Sequence, residues 1–416
     1  MRAGFGKVEI TPPLGVELAG YGYYLHRTAD RVLDPLFVRA AAFEQAGERY
    51  ILVSCDCLGL SRDMVRDAEN ALKRDRALSP DHLIFVSIHT HTGPAMKYHG
   101  GCGETDPAYT STVADKIAAA CRAALDDLAE ITELRFFQSA ISHPWAYNRA
   151  CADNPVDDQT RFFRIGRQNA PPMVLASYAC HAVCRGNIRA ISADYPGRVC
   201  ANFEEMGCQA LYLNGLCGDI DPIRCGKDER PARLAGFAAA ICEGLRGEGV
   251  SLPPTVRGGQ AEARLRLQSL TPEDIRRLAD QANEQETDPP GGGRVARAWE
   301  REMLESYDAA KTEEAFHVRY LLLGGVPIAA LPFEGYTLTG MLIRQALKDP
   351  RALVLGCAEE MLGYLPTMDD YDRGSYASRD AFYLYRRIPT LRGEAERLGR
   401  DLGEKLAGAM KGEQKS

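Results

Sequence analysis

The fold class is decided by residues 49–91, RYILVSCDCLGLSRDMVRDAENALKRDRALSPDHLIFVSIHTH. Two apolar runs, 49–60 and 82–91, have the composition of buried strands that end in loops. The charged run between them, 61–75, has the periodicity of an amphipathic helix. A strand, a helix and a second strand in this order form a βαβ unit, whose crossover favours a parallel strand pair. This segment therefore predicts an α/β fold.

The same alternation continues along the rest of the chain. Further strands are predicted near 132–141, 160–167, 173–180, 209–215 and 352–358, and further helices near 108–129, 232–246, 337–347 and after Pro389. Residues 317–332 are typical of a hairpin with a Gly-Gly turn. We expect one large domain over residues 1–416, in which a mixed, largely parallel β-sheet has helices on both faces and the functional site lies at the carboxyl ends of the strands.

The segment 271–314 differs from the alternation around it. It contains two charged amphipathic patterns separated by DPPGGG, residues 288–293. Thr271 and Pro272 have the order of an N-cap followed by a proline at the first helical position. We interpret this segment as a charged helical insertion in the domain.

Composition excludes several classes of protein. The 416 residues are 45% hydrophobic and 26% charged, which excludes a disordered or fibrous chain. The formal net charge is −7, and no block of Lys and Arg accompanies it, so we expect no nucleic-acid partner. Glycines and prolines interrupt the longest apolar stretch, 320–333, so we expect no membrane insertion.

The cysteines and the first residues bear on the cellular compartment. The thirteen cysteines are scattered from Cys55 to Cys357, a pattern more typical of reduced thiols than of a disulfide framework. The first residues, MRAGFGKVEITPPLG, contain no apolar stretch of the kind found in signal peptides. Both observations predict a cytoplasmic protein.

The most informative local pattern is SIHTHTGP, residues 87–94, at the end of an apolar strand. Because strand side chains alternate, we expect His89 and His91 to project to the same face. Two imidazoles at the end of a strand can begin a zinc site, since neutral imidazole nitrogen suits zinc. Taken alone, the pair is equally consistent with two histidines that are hydrogen-bonded within a loop.

Another histidine strengthens the metal interpretation. His181 follows the apolar run 171–180, so it repeats the placement of a histidine after a strand. The remaining histidines lack this placement; they are His26, His82, His99, His143 and His317. Of these, His99 stays a weak candidate because it is near the His89 motif in sequence. Cys180 and Cys184 flank His181 and form an alternative ligand set, but buried cysteines more often pack as small apolar groups.

A catalytic zinc also needs oxygen ligands or a bound water. Carboxylates follow several predicted strands, at Asp56, Asp194, Asp219, Asp221 and Glu334. An aspartate at the end of a strand is more often a turn or helix cap than a metal ligand. The residues alone therefore leave the choice among these carboxylates open.

The order of the motifs resembles the catalytic domain of the neutral/alkaline, non-lysosomal ceramidase family, whose members are zinc amidohydrolases. Segments similar to the family's occur over nearly the whole chain: GFGKVEITPPLGVELAGYG (4–22), CDCLGLSRD (55–63), SIHTHTGPA (87–95), Asn148-Arg149, His181, NGLCGDIDPI (214–223), LPFEGYTLTGMLIR (331–344) and GYLPTMDDYDRGSYAS (363–378). Each segment alone is weak evidence, whereas the whole set in order is specific.

The resemblance implies a role for each matching residue. It implies that zinc is held by His89, His181, Glu334 and Tyr364. It implies that His91 lies beside the metal-bound water and the substrate. It also implies that Arg149 and Tyr376 donate hydrogen bonds to the carbonyl oxygen as negative charge develops on it.

One position departs from the resemblance. Asp221 stands where the family has a serine, in Gly218-Asp219-Ile220-Asp221-Pro222. Because that hydroxyl is important in ceramidases, we expect a soluble, non-ceramide small-molecule substrate, with Asp221 binding a substrate cation or carrying a proton. The prediction is a zinc-dependent hydrolase of an amide bond. The alternatives are a lactone or ester hydrolase with the same zinc site, and a catalytically dead relative that binds a ligand. The oligomeric state stays open.

Overall fold

A computed structural model describes residues 1–284 and 291–412. Its strands lie mainly in one large and one smaller sheet. In chain order they are β1 Arg2–Glu9, β2 Arg31–Val32, β3 Phe37–Gln45, β4 Glu48–Cys55, β5 Leu83–Ser87, β6 Ala129–Ala140, β7 Ala146–Asn148, β8 Gln159–Arg167, β9 Ala170–Tyr178, β10 Ala190–Ile191, β11 Gln209–Asn214, β12 Ile220–Pro222, β13 Val250–Ser251, β14 Val256–Arg266, β15 Glu313–Leu323, β16 Val326–Ala330, β17 Glu334–Gly335, β18 Leu353–Leu355 and β19 Tyr364–Leu365.

The helices alternate with these strands along the chain. They are α1 Arg62–Arg76, α2 Pro107–Thr110, α3 Val113–Asp126, α4 Asp194–Glu205, α5 Arg230–Glu243, α6 Pro272–Glu284, α7 Gly292–Glu305, α8 Thr337–Leu347, α9 Met368–Arg373, α10 Tyr376–Arg379, α11 Ala381–Leu384 and α12 Glu394–Gly412. No helix within the described residues has the length and apolar character needed to span a membrane.

The large sheet has nine strands in the order β11-β9-β8-β6-β1-β3-β4-β5, with β13 paired to β6. The predicted mixed α/β fold in one domain is confirmed, and so is the parallel pair β4 and β5. The expectation of a largely parallel sheet is wrong, because only β4/β5 and β9/β11 are parallel and the other pairs of this sheet are antiparallel. Short connections join β3 to β4 and β8 to β9, and hairpins of this kind impose antiparallel pairing.

The two faces of the large sheet have different partners. Alternate residues of β3 divide between two apolar clusters, with Val38, Ala40 and Ala42 on one face and Ala41 and Phe43 on the other. The first face packs against α1, α3, α4 and α5. The second face packs against another sheet, not against helices. The expectation of helices on both faces is therefore wrong for this sheet.

The second sheet has the strand order β14-β15-β16-β18. Strand β15 alternates in the same way, since Leu321 and Leu323 face the large sheet whereas Val318 and Tyr320 face α8 and α12. The molecule thus has four layers, in the order helices, large sheet, small sheet and helices. The predicted hairpin at 317–332 is confirmed, with Gly324 and Gly325 between β15 and β16.

The functional site lies where the two edges of the large sheet, formed by β4 and β5 on one side and β11 on the other, approach each other. Ser54 of β4 donates a hydrogen bond of 2.6 Å to the carbonyl oxygen of Tyr212 in β11. Beyond the strands, Thr90 forms a parallel bridge with Ala182, so the loops after β5 and β9 run side by side. Because β5 and β9 both end at this point, the two predicted histidine motifs come together there.

Helices α6 and α7 occupy the segment 271–314, as the sequence predicts. The hydroxyl oxygen of Thr271 accepts a hydrogen bond of 3.1 Å from the amide of Asp274, which is the predicted N-cap. The two helices pack against Tyr23 and Leu384. Residues 288–290 of the predicted breaker lie outside the described residues. The assignment of this segment as an insertion stays a prediction.

Candidate metal centre

Three histidines from the loops after β5 and β9 come together where the two edges of the large sheet meet. The ring nitrogens of His89, His91 and His181 that are nearest to one another all lie within 4.8 Å. The rings of His89 and His91 are 4.9 Å apart, as expected, but the predicted reason is wrong. Strand β5 ends at Ser87, and His89 has a φ of +63°. A left-handed loop residue, and not strand alternation, therefore brings these two rings together.

Backbone carbonyls orient His89 and His181. The Nδ1 atom of His89 lies 2.8 Å from the carbonyl oxygen of Leu58, and Nδ1 of His181 lies 2.6 Å from that of Cys217. A carbonyl oxygen only accepts, so Nδ1 carries a proton in each ring, and Nε2 is the nitrogen that faces Glu334. Metal-binding histidines are typically oriented by a hydrogen bond from the other ring nitrogen to an acceptor of this kind.

Glu334 completes a cluster of nitrogen and oxygen atoms with these rings. Its Oε2 atom lies 3.1 Å from Nε2 of His89 and 3.1 Å from Nε2 of His181. Zinc bonds of about 2.0–2.2 Å at ordinary angles place two ligand atoms roughly 3–3.5 Å apart, so this spacing suits one shared zinc ion. Nε2 of His89 is buried and contacts Glu334 without the alignment of a hydrogen bond, which also fits a metal ligand. Burial would raise the pKa of Glu334, but His89 and His181 hold it well below its usual range.

The loop around Gly218 lets the Glu334 strand approach closely. Gly218 donates a backbone hydrogen bond of 2.9 Å to Gly335, and a Cβ atom at Gly218 would lie 2.3 Å from the Glu334 carbonyl oxygen. Any larger residue at this position would therefore push the two segments apart. Strand β17 also pairs Glu334 with Tyr364 of β19, which brings the phenol into the same cluster.

Tyr364 and Asp221 are connected through Arg149. The guanidinium donates from Nη2 to the Tyr364 hydroxyl at 2.7 Å, and its Nη1 lies 3.3 Å from Oδ1 of Asp221. The Tyr364 hydroxyl is in turn 3.4 Å from Nε2 of His181. Burial raises the pKa of Tyr364 and Arg149 lowers it, with a net shift well above the ordinary value. The structure thus brings Tyr364, Arg149 and Asp221 to the edge of the histidine cluster.

His91 occupies a different position from the other two histidines. Neither of its ring nitrogens has a hydrogen-bond partner within the described residues, and burial lowers its pKa well below the ordinary value. Its ring packs edge-on against Tyr21 at 5.1 Å. Gly20 has a φ of +100°, and a Cβ atom there would lie 2.5 Å from Nδ1 of His91. The predicted opening segment 4–22 therefore closes one side of the centre.

A cavity of about 860 Å³ opens from this centre to the surface. His91, Arg149, Asp221, Tyr364 and Tyr376 all line it. The Tyr376 side chain is partly exposed, and its ring lies 5.8 Å from that of Tyr364. All the predicted site residues therefore lie at this centre or on its cavity, whereas their individual roles stay predictions.

The remaining candidate carboxylates have structural partners. Asp219 accepts hydrogen bonds of 2.7 Å from Asn148 and 2.9 Å from the Thr337 amide, and burial raises its pKa to about 6. It thereby ties the loop that carries Asp221 to α8. Asp56 pairs with Arg39 at 2.7 Å, and Asp194 accepts backbone hydrogen bonds from residues 184, 185 and 195. None of the three belongs to the histidine cluster.

The other histidines and the alternative cysteine ligands lie outside the cluster. Within the described residues, the group of possible metal-binding side chains contains the three histidines and neither Cys180 nor Cys184. His99, the nearest remaining histidine in sequence, packs against Tyr385 at 4.8 Å, and burial lowers its pKa to about 3. His143 and His317 are exposed.

Two further tyrosines at the centre were not predicted from the sequence. The Tyr385 hydroxyl donates a short hydrogen bond to Oε1 of Glu334, the oxygen that points away from the two histidines. Tyr21 packs on His91. Tyr21 lies within the predicted opening segment 4–22, which could have indicated it, whereas no pattern in the sequence marks Tyr385.

Comparison with known proteins supports the architecture. No protein-family model and no curated protein matches this sequence. The solved structure of the neutral ceramidase from Pseudomonas aeruginosa is similar, with a TM-score of 0.76 and 15% identity over 98% of this chain and 74% of that chain. A structure described as a ceramidase complexed with C2 gives a TM-score of 0.76 and 15% identity over 99% and 75% of the two chains. The predicted ceramidase-like fold is confirmed.

Proposed function

We propose that this chain, with its ceramidase-like fold, is a zinc-dependent hydrolase that cleaves an amide bond in a soluble substrate other than ceramide. One observation carries the proposal. The Nε2 atoms of His89 and His181 lie 3.1 Å from the same oxygen of Glu334, in a buried cluster that ends a large cavity. Two neutral imidazoles and a carboxylate are the ligands of many catalytic zinc sites.

His89, His181 and Glu334 would hold the zinc, with Tyr364 as a fourth ligand. When bound, zinc supplies Lewis acidity and lowers the pKa of water from roughly 16 to about 7. Backbone carbonyls fix both histidine rings, so these ligands are oriented before the metal arrives. When Tyr364 binds zinc, its oxygen would keep part of its hydrogen bonding with Arg149, because the guanidinium has further N–H donors.

The cavity residues would then bind and polarise the substrate carbonyl. Arg149 is fixed by the Gly218 carbonyl oxygen at 3.0 Å, and it remains charged at any working pH. The Tyr376 hydroxyl has no hydrogen-bond partner within the described residues, so it is free to donate. Together the two side chains can stabilise negative charge on a carbonyl oxygen. His91 has neither ring nitrogen paired within the described residues, and as a neutral imidazole it is placed to exchange a hydrogen bond with the reacting group.

The polarity of the cavity argues for a substrate other than ceramide. Five arginines and three aspartates line it, namely Arg149, Arg224, Arg230, Arg233, Arg379, Asp221, Asp370 and Asp380. A long acyl chain would have to desolvate these charges without pairing them, which is unfavourable. Asp221, at the position of the family's serine, lies within the same charged wall.

A product screen tests the proposal. The zinc-loaded protein should be incubated with N-acyl amino compounds, cyclic amides, lactones and short ceramides, and the products identified by mass. We expect cleavage of a polar amide that stops on chelation and returns with zinc. Cleavage of esters or lactones alone would favour the alternative hydrolase. A fully zinc-loaded protein that cleaves none of these compounds would contradict the proposal and favour a ligand-binding relative.

A further inference from the structure

One wall of the cavity carries three arginines that the proposed chemistry does not use. Arg224 follows β12, whereas Arg230 and Arg233 lie in the first turn of α5. All three line the cavity that reaches the histidine cluster. The chain as a whole has a formal charge of −7, so this local excess of positive charge is not a consequence of overall composition.

None of the three arginines has a carboxylate partner among residues 1–284 and 291–412. Elsewhere on the cavity the charges are compensated, since Arg379 pairs with Asp380 at 2.7 Å and Arg149 contacts Asp221 at 3.3 Å. Asp370, the remaining carboxylate on the cavity, accepts a hydrogen bond of 2.6 Å from Tyr336. The positive charge on this wall is therefore available to a ligand.

Two of the guanidinium groups are held in place by other contacts. Arg230 donates from Nη1 to the carbonyl oxygen of Arg185 at 3.1 Å, which leaves its other donors free. Arg233 lies 4.5 Å above the ring of Trp145, and that ring stacks on Phe237 at 5.8 Å. Ordered guanidinium groups lose little entropy when they bind an anion, so the part of the wall formed by Arg230 and Arg233 is preorganised.

The two α5 arginines lie at the end of the helix where positive charge is less favourable. The amino-terminal end of a helix carries partial positive charge and is normally accompanied by acidic side chains. The N-cap residue of α5 is Glu229, but its carboxylate makes no cap hydrogen bond and accepts one from the Gly226 amide, and the first turn itself carries Arg230 and Arg233 and no acidic residue. An anion bound on this wall would neutralise the repulsion among these cations.

We infer that Arg224, Arg230 and Arg233 bind an anionic group of the substrate, so that the hydrolysed compound is an acyl amide bearing a carboxylate or a phosphate. That the substrate is an amide rests on the proposed function, whereas that it carries an anionic group rests on the arginine wall. A cavity of about 860 Å³ has room for a small molecule that reaches from this wall to the centre. The arginines would position the substrate, and the centre would act on its carbonyl.

Calorimetric titration of the zinc-loaded protein tests this assignment. The probes are N-acetylglycine, N-acetylglutamate, their neutral carboxamides and inorganic phosphate. We expect each anionic probe to bind at least about 10-fold more tightly than its carboxamide, because charged hydrogen bonds to arginine are strong. Stronger binding of phosphate than of the carboxylates would identify a phosphate group in the substrate.

Charge-removing variants locate the anion. Arg224→Gln and Arg233→Gln should each reduce the preference for the anionic probe by about 10-fold. Arg224 is exposed and makes no side-chain hydrogen bond or ion pair within the described residues, so its variant separates binding from stability. Arg246→Gln is the matched control, since Arg246 follows the other end of α5 and pairs with Glu243 at 3.6 Å. It should keep the full preference.

Three outcomes would overturn the inference. The first is equal binding of anion and carboxamide, and the second is absence of anion binding at millimolar concentration. The third is a preference for the anion that survives both arginine variants, since that result would place the anion on the metal. Hydrolysis is followed in the same samples. Anion selectivity without hydrolysis would retain the inference and refute the proposed function, whereas hydrolysis without selectivity would do the reverse.

Discussion

Tyr385→Phe should weaken zinc binding although Tyr385 is not a proposed ligand. Its hydroxyl donates a short hydrogen bond to Oε1 of Glu334, while Oε2 of the same carboxylate faces the two histidines. Removing the hydroxyl leaves a buried carboxylate oxygen without its donor. The carboxylate can then rotate, so Oε2 loses its fixed position between the imidazoles.

The expected magnitude follows from the character of this contact. A hydrogen bond to a charged group contributes about 1.5–3 kcal/mol, which corresponds to roughly 10- to 150-fold in an equilibrium constant. Removal of a group that orients a metal ligand typically lowers metal affinity by about 10- to 100-fold. The phenylalanine ring keeps the packing of Tyr385 against His99, so the fold should be retained.

Zinc affinity is measured by competition with a chromophoric chelator. Tyr383→Phe is the matched control, because the Tyr383 hydroxyl donates to the Leu278 carbonyl oxygen at 2.9 Å and not to the centre. We expect Tyr385→Phe to lower zinc affinity by about 10- to 100-fold and Tyr383→Phe to change it by less than about twofold. Equal zinc affinity in Tyr385→Phe and the parent would refute the reasoning that Tyr385 orients Glu334.

Three further predictions concern the ligands, the departure from the ceramidase pattern and stability. His89→Ala and His181→Ala should each lower zinc content and activity, as measured by elemental analysis and hydrolysis, whereas the exposed His143→Ala should change neither; full zinc content in both ligand variants would remove the proposed site. Asp221→Asn should keep zinc and fold but lose roughly 30- to 1000-fold in kcat/KM, and Asp221→Ser should also lose activity; parental activity in Asp221→Asn would reduce Asp221 to a turn residue. Burial raises the pKa of Glu359 to about 7, so the native state keeps this proton to a higher pH than the unfolded state does. The free energy of unfolding should therefore fall as pH rises from about 4.5 to about 7. Glu359→Gln should make the free energy of unfolding, measured by urea denaturation, fall less over this pH range. An unchanged pH dependence in this variant would contradict the raised pKa of Glu359.

Local elements could be predicted because their signals are local. Helix α8 begins and ends where the pattern predicts, at Thr337 and Leu347, and the Gly-Gly turn and the β4/β5 pair were also predicted. Strand direction across the sheet could not be predicted in the same way. Periodicity gives the face of a strand but not its neighbour, so the antiparallel pairs and the second sheet on the other face were missed.

The centre shows the same division. The histidines could be found because two apolar strands lead into them, and the resemblance selected Glu334 from the candidate carboxylates and added Tyr364. The groups that orient them are the carbonyl oxygens of Leu58 and Cys217 and the hydroxyl of Tyr385. Backbone carbonyls leave no mark in a sequence, and Tyr385 reaches Glu334 only through tertiary packing. The left-handed conformation of His89 is likewise imposed by its surroundings.

Zinc titration of the metal-free protein tests the central claim most directly. The protein is stripped with a chelator, zinc is returned in steps, and hydrolysis of the best polar amide from the screen is followed at each step. Activity should be absent without metal, rise in proportion to zinc and saturate at about one zinc per chain, as a single His89–His181–Glu334 site requires. Full activity in the metal-free protein, or a zinc-saturated protein that hydrolyses nothing, would contradict the account.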